Sequence, residues 1–352
     1  MRFNDVVSFI AAAVQYNATL PASASDADRT NILVLGDPGS GKSQLGKAVQ
    51  EMVKANMGEC ERNASLNLAV LEPNDVAGWA VEAGDGKNMK VLRPHWMNWE
   101  DGDKRPWIVE VDELKQGSTM CQNAAARIVY ERAINGWALP VNSTVIAFAN
   151  KDSNKAGTTK MPTHLRDRFV VLELDPSVDD AVSYFYSVGA HPDVPAFLQF
   201  NRSAYSKFDP HAVSPTGRGW HGISSILKMG LPEHVEREAI AGRVGVGMAA
   251  EFTAFRKLKE NMPDPKACVA SPDSAPIPAE PAVLYALTSS LVELATPENA
   301  GKVIAYLSRL PQQEFALMWV KAACGKNAEI KRSADVRKWA ETTGNQLVGT
   351  MS

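Results

Sequence analysis

Cysteine, long apolar runs and excess positive charge are all scarce in this 352-residue chain. The four cysteines lack Cys-x-x-Cys spacing and the six histidines lack metal-binding spacing, so we expect neither a zinc site nor a disulfide framework. No stretch approaches the roughly 18 consecutive apolar residues of a membrane-spanning helix. A net charge of −3 provides no basic field for nucleic acid, although it does not forbid such binding. We therefore expect a cytoplasmic protein without a membrane anchor.

A glycine-rich turn is the most informative feature that is present. It follows the apolar run 32–35 and fits the pattern G-x-x-x-x-G-K-[ST], with the residues Gly36, Asp37, Pro38, Gly39, Ser40, Gly41, Lys42 and Ser43. A strand, a glycine-rich turn and then a helix form the context in which this pattern binds nucleotide phosphates. Lys42 would supply charge to the β- and γ-phosphates and Ser43 a hydroxyl ligand for Mg²⁺. The predicted ATP-binding segment also includes Gln44, in the first turn of the helix.

Two later strands end in polar residues that suit the same chemistry. The apolar run 107–111 is followed by Asp112 and Glu113, and the run 143–148 leads to Asn150. Alone, such endings are common where a strand gives way to a turn or helix. After a phosphate-binding loop they predict a carboxylate for Mg²⁺ at Asp112 and a general base at Glu113. Asn150 would contact the γ-phosphate or align the attacking water.

The order of apolar patterns predicts the fold class. Strands are expected at 31–35, 66–70, 107–111, 143–148 and 169–174, with helices between them, one of which spans 118–135. This alternation predicts an α/β protein with a doubly wound, mostly parallel sheet. Beyond residue 178 the patterns are helical, interrupted by residues 263–281, whose six prolines predict an extended connector.

Together these motifs resemble those of the AAA+ ATPases. Within that class the chain looks most like the MoxR-like group, because of residues 71–75 leading to Gly78, residues 165–169 and residues 245–252. The resemblance implies an AAA+ core at 1–205, a helical lid at 206–262, and a connector with a helical C-terminal region at 263–352. It also implies a homo-oligomeric ring, expected to be a hexamer, with ATP and Mg²⁺ at the subunit boundaries.

The resemblance gives three arginines a role. Arg168 precedes Phe169 as the arginine finger of the family does, so it is the first choice for an arginine that reaches a neighbour's γ-phosphate. Arg166 is the alternative, because the same segment carries both. Arg218 resembles the lid arginine that contacts nucleotide in its own subunit, although Thr216 and Gly217 separate it from Pro215 where the family has Ser-Pro-Arg.

Several functions remain open at this point. The leading hypothesis is a motor that hydrolyses ATP to remodel a partner protein, and the MoxR resemblance implies a partner with a von Willebrand factor A domain. The alternatives are a nucleic-acid motor or loader and a scaffold that binds ATP but hardly hydrolyses it. The long polar insert 72–106, with Trp79 and Trp96, could contact a substrate directly or be a structural hairpin.

Overall fold

In a computed structural model, strands and helices alternate in the first half of the chain, whereas the described part of the second half is helical. The structure describes residues 1–64, 66–151, 161–175, 177–205, 209, 212–258 and 261–344. Contacts divide the chain into two units, Met1–Pro176 and Ser177–Ser352. The three-part division at residues 205 and 262 stays a prediction.

A parallel five-stranded sheet organises the first unit. The nine described strands of the unit are β1 Ile32–Gly36, β2 Glu61–Arg62, β3 Ala80–Glu82, β4 Met89–Val91, β5 Trp107–Val111, β6 Ala133–Ile134, β7 Trp137–Ala138, β8 Ser143–Asn150 and β9 Val170–Glu173. The order in the sheet is β2-β5-β8-β1-β9, with every pairing parallel. The three central strands β5, β8 and β1 are almost wholly buried, as expected where helices cover both faces. The predicted α/β class is confirmed.

Helices cover the two faces of this sheet. They are α1 Phe3–Thr19, α2 Lys42–Met57, α3 Pro73–Ala77, α4 Thr119–Tyr130 and α5 Thr163–Arg166. The apolar sides of α1 and α2 pack on one face, around Ile10 and Leu45. On the other face α3 and α4 pack with the buried Trp96 and Trp99. Helix α2, which follows the glycine-rich turn, therefore contacts both α1 and the sheet.

Three sequence expectations about this architecture were wrong. Residues 66–70 form no strand; Asn67 makes a single bridge to Asp112, and the edge strand is β2. The alternating pattern of Leu66 and Leu68 resembles that of a strand because both side chains are buried, beside the loop that follows β5. The helix expected at 118–135 ends at Tyr130, since the β6–β7 hairpin follows, with Asn135 and Gly136 at positive φ in its turn.

The third wrong expectation concerns the proline-rich stretch 263–281. It contains a short helix, Pro265–Ala270, which begins at a proline and is capped by the Asp264 side chain. Proline is favoured at the first helical position because its missing N–H has no partner there in any case. The proline content alone therefore predicted an extended chain where part of the stretch is helical.

The second unit is built from helices around one core. The helices are α6 Val178–Ser187, α7 Asp193–Phe200, α8 Gly217–Leu227, α9 Glu233–Val244, α10 Val246–Leu258, α11 Pro265–Ala270, α12 Pro281–Glu293, α13 Ala300–Leu307, α14 Glu314–Lys326 and α15 Ala334–Trp339. Trp220 lies at its centre, with ring centroids 5.4 Å from Phe197 and 5.5 Å from Phe252. The core continues through Tyr306 and Trp319, so helices on both sides of residue 262 share it.

A buried asparagine ties α1 to the sheet next to β1. The Asn17 amide nitrogen donates to Thr30 O at 3.0 Å and to Thr144 Oγ1 at 2.8 Å, and Asn17 Oδ1 accepts from Thr30 N at 3.0 Å. Since Asn17 is fully buried, these bonds have no competition from water. They fix the chain just before the strand that delivers the phosphate-binding loop.

Asn17→Ala should lower the free energy of unfolding by about 2 to 4 kcal/mol, because it leaves buried partners on Thr30 and Thr144 unsatisfied. Urea titration measures this change. Ser8→Ala, at an exposed position of the same helix, is the control and should shift the value by less than about 0.5 kcal/mol. Equal effects of the two substitutions would contradict the structural role of Asn17.

Candidate nucleotide-binding site

The phosphate-binding loop is a tight connection between β1 and α2. β1 ends at Gly36 and α2 begins at Lys42. Gly39 and Gly41 have φ of 75° and 93°, a conformation that glycine adopts without steric cost. A Cβ atom on Gly36 would lie 2.7 Å from Ser40 Oγ, so the loop curls closely on itself. The start of α2 adds its partial positive charge to the same place.

Lys42 is held inside this loop although it carries a charge. Its Nζ atom donates to Gly36 O at 2.8 Å, to Asp37 O at 3.0 Å and to Asn150 Oδ1 at 2.8 Å. Only 8% of the residue is exposed. The structure therefore brings together Lys42 and Asn150, which are 108 positions apart in the sequence.

Strand register explains why these groups meet at one edge of the sheet. In the parallel ladder Gly36 pairs with Asn150, and Val111 pairs with Ala147. The carboxyl ends of β1, β8 and β5 consequently lie side by side. Asp112 follows β5 directly, and Leu114 N donates to Phe148 O at 2.9 Å, which holds the loop after β5 against β8.

Glu113 has an unusual backbone. Its φ is 51°, in the left-handed region that residues other than glycine adopt infrequently. Its N–H donates to Asp112 Oδ1 at 2.9 Å, so the two acidic residues are fixed relative to each other. Residues held in such conformations cluster at active sites and ligand-binding sites.

The oxygen groups of Ser43 and Asp112 are suitable for Mg²⁺. Ser43 is exposed in the first turn of α2 and Asp112 is partly buried at the end of β5. Hydroxyl and carboxylate oxygens are the hard donors that Mg²⁺ prefers, and Mg²⁺ keeps its other positions for phosphate and water. Among the described residues no group of three or more His, Cys, Asp and Glu could hold a metal ion.

The two candidate finger arginines lie on one exposed segment. Arg166 ends α5 and Arg168 follows two residues later, and both side chains are exposed. Leu165 and Phe169 on either side are buried and anchor the segment to the first unit. The choice between Arg166 and Arg168 stays a prediction.

Arg218 belongs to the second unit and is exposed at the second position of α8. Thr216 caps this helix, because its Oγ1 accepts from Gly219 N at 3.2 Å. The two residues that separate Pro215 from Arg218 are thus the N-cap and the first residue of the helix. The contact of Arg218 with the nucleotide stays a prediction.

Sequence reasoning missed a charged pair close to α2. Glu110 lies in β5 and forms an ion pair with Arg62 of β2. Burial raises the pKa of the Glu110 carboxyl, and Arg62 partly opposes that shift. A signal was present in the sequence, since Glu110 is the one charged residue in the run Trp-Ile-Val-Glu-Val. Lys115, only 5% exposed just after Glu113, was missed as well.

The insert 72–106 combines a structural part with an exposed part. Trp96 is buried and donates its Nε1–H to Val76 O at 2.9 Å, so it is part of the core. Arg93 lies over the rings of Trp99 and Trp137 at 5.7 and 5.5 Å. Strands β3 and β4 form an antiparallel hairpin, next to which Trp79 is 54% exposed. Direct substrate contact by this hairpin is untested.

No helix among the described residues has the length and apolarity to cross a lipid bilayer.

No protein-family model matches the chain, and no curated protein matches it either. Solved structures similar to it include NtrX from Brucella abortus in complex with ADP, which is 16% identical, with 97% of this chain and 68% of that chain covered and a TM-score of 0.40. A RuvB mutant from Thermotoga maritima is 16% identical, with coverage of 80% and 82% and a TM-score of 0.35. PCH-2 from C. elegans is 13% identical, with coverage of 84% and 70% and a TM-score of 0.33. Because these values are low, the functional proposal depends on the residues of this chain.

Proposed function

We propose that the chain is an AAA+ ATPase that hydrolyses ATP with Mg²⁺ at the boundary between two subunits of a ring. One observation carries the proposal: Lys42 Nζ lies 2.8 Å from Asn150 Oδ1 at the sheet edge where Asp112 and Glu113 also follow their strand. A phosphate-binding loop, a magnesium carboxylate, a base and a polar amide on adjacent strand ends suit phosphoryl transfer to water.

Each residue has a distinct part in this reaction. The loop backbone and Lys42 would hold the phosphates, and Ser43 and Asp112 would hold the metal. Bound Mg²⁺ supplies positive charge to the β- and γ-phosphate oxygens. Glu113 would accept a proton from the attacking water, and its backbone is fixed by its hydrogen bond to Asp112. Asn150, already hydrogen-bonded to Lys42, would align the water or the γ-phosphate.

Exposed arginines support an active site completed by a neighbour. An arginine that neutralises charge on the transferring phosphoryl group can be supplied by a second chain. Arg168 is our candidate and Arg166 the alternative, because both are exposed on a segment anchored by buried residues. Arg218 would contact the nucleotide from the lid of the same subunit. Such a ring has head-to-tail contacts that close on themselves, and six subunits are our proposal.

The cellular role is proposed on the MoxR-like resemblance of three sequence passages. On that basis the motor would act in the cytoplasm on a partner protein, and a von Willebrand factor A domain is the partner type to test first. The net charge of −3 disfavours nucleic acid as the substrate.

The proposal is tested by ATP hydrolysis per subunit as a function of protein concentration. Specific activity should rise with concentration, because each site needs two chains. Activity that is independent of concentration down to nanomolar protein would contradict a composite site, unless light scattering shows that the ring persists at that dilution. DNA is added in parallel, and stimulation by DNA would favour the nucleic-acid motor instead.

Lys42→Met should weaken ATP binding about 10- to 100-fold, because it removes a charged hydrogen-bond donor from the loop. Titration of a fluorescent ATP analogue measures the affinity. Lys47→Met is the matched control, since Lys47 is exposed on the same helix and pairs only with Glu51 at 3.9 Å among the contacts described. Unchanged affinity in Lys42→Met would contradict a nucleotide site at this loop.

A further inference from the structure

We infer that Glu110 is a positioning residue for the magnesium site: its side chain, seated against Gly46, sets the position of α2 along β5 that brings Ser43 opposite Asp112. The inference rests on the proposed function, because it assigns Ser43 and Asp112 to Mg²⁺. It adds a residue of the strand before Asp112 that has no part in the proposed hydrolysis.

The contact between Gly46 and Glu110 is close. A Cβ atom on Gly46 would lie 1.5 Å from Glu110 Oε1 and 2.6 Å from its carboxyl carbon. Gly46 is buried in the interior of α2, where glycine is less favourable than alanine. Glycine therefore admits the carboxylate directly against the helix backbone, and a larger residue would displace either the Glu110 carboxylate or α2.

Helix and strand geometry relate this contact to the relative positions of Ser43 and Asp112. Ser43 and Gly46 are three residues apart and lie on one face of α2, about 4.5 Å apart along its axis. Glu110 and Asp112 are two residues apart and lie on one face of the sheet, about 6.6 Å apart along the strand. The two spacings differ by about 2 Å, so Ser43 and Asp112 each lie a few ångströms beyond the Gly46–Glu110 contact. A shift of α2 along β5 at this contact would therefore shift Ser43 relative to Asp112 by the same amount.

Chain direction puts both magnesium ligands on the same side of this contact. β5 runs toward the sheet edge that carries the phosphate-binding loop, so Asp112 lies closer to that edge than Glu110 does. α2 begins at the same edge and must return toward the opposite one, because the next strand, β2, is again parallel. Ser43 therefore also lies closer to the edge than Gly46 does.

Glu110 is held so that it cannot swing away from Gly46. Arg62 pairs with its carboxylate, and Asn63 holds its backbone, since Glu110 N donates to Asn63 Oδ1 at 2.7 Å and Asn63 Nδ2 donates to Glu110 O at 3.1 Å. Oε1, the oxygen nearest Gly46, is buried and accepts no hydrogen bond from the described residues. The ion pair with Arg62 and the backbone bonds to Asn63, and not a bond to Oε1, therefore determine where this carboxylate lies.

The test compares Gly46→Ala, Glu110→Ala, Glu110→Gln and the double variant Gly46→Ala/Glu110→Ala in the full chain. A fluorescent ADP analogue is titrated in EDTA and then with MgCl₂, so that nucleotide affinity and the half-saturating Mg²⁺ concentration are separate readouts. Neither readout requires hydrolysis. Thermal melting of each variant shows whether it folds.

We expect Gly46→Ala to raise the half-saturating Mg²⁺ concentration about tenfold while the affinity in EDTA changes less than about twofold. Glu110→Ala should also raise the half-saturating Mg²⁺ concentration, because it removes the carboxylate that contacts α2. The double variant should return to within about threefold of the unmodified chain, since the alanine methyl occupies the place of the carboxylate. Glu110→Gln should also remain within about threefold, because it preserves the shape.

Different outcomes overturn the inference in different ways. Unchanged Mg²⁺ dependence in Gly46→Ala would show that the contact sets no register, and equal losses in Glu110→Gln and Glu110→Ala would assign Glu110 an electrostatic part only. If neither Gly46 variant folds, the two Glu110 variants decide between shape and charge. Failure of the unmodified chain to bind nucleotide would overturn the proposed function, and the positioning role with it.

Discussion

Glu113→Gln is expected to lower ATP hydrolysis by about 10²- to 10⁴-fold while leaving ATP binding intact. The amide has nearly the shape of the carboxylate and can adopt the same backbone with φ of 51°. It cannot accept a proton from water, so only the chemical step should suffer. Single-turnover hydrolysis and binding of a fluorescent ATP analogue, measured on the same preparation, separate the two effects.

Glu100→Gln is the control for this experiment, because Glu100 is exposed in the insert. It should hydrolyse ATP at the unmodified rate. Substantial hydrolysis by Glu113→Gln, within about threefold of the unmodified chain, would rule out Glu113 as the general base. Loss of ATP binding in this variant would instead show that Glu113 supports the fold of the loop after β5.

Arg168→Ala is expected to lower hydrolysis by about 10³- to 10⁵-fold, the range known for arginines supplied to a transferring phosphoryl group. Binding of ATP to the isolated subunit should change little, because the arginine acts on the site of a neighbour. Arg166→Ala is the matched control, since the two arginines share one exposed segment. If Arg166→Ala causes the larger loss, Arg166 is the finger.

Mixing two inactive variants tests whether the site really spans two chains. A Glu113→Gln subunit retains its arginine, and an Arg168→Ala subunit retains its base. In an equal mixture about a quarter of the interfaces would combine the two intact residues, so activity should return to about a quarter of the unmodified rate. A mixture as inactive as its components would contradict the shared site.

The central strands could be predicted closely because both their faces are buried. Continuous apolar runs placed strands at 107–111 and 31–35, where the structure has Trp107–Val111 and Ile32–Gly36. The edge strand could not be found in this way. Glu61 and Arg62 pair with one neighbour only and are partly exposed, so they carry no apolar signature.

The polar residues at the strand ends were also accessible from sequence, since parallel strands present their carboxyl ends at one edge. Their contacts were not. The hydrogen bond between Lys42 and Asn150 depends on β8 lying beside β1, which local patterns do not encode. The Gly46–Glu110 contact likewise depends on the packing of α2 on β5. Its trace in the sequence is a glycine inside a predicted helix and a glutamate inside an apolar strand.

The strand order of the first unit also has a consequence for its synthesis. β1 pairs with β8 and β9 alone among the described strands, so its nearest partner in the sequence begins at Ser143. A ribosome must therefore add more than a hundred residues before the apolar strand that carries the phosphate-binding loop finds a neighbour. Pairings this distant form slowly and leave apolar edges open in the meantime. We therefore expect the apolar edges of the nascent first unit to stay open until β9 has emerged.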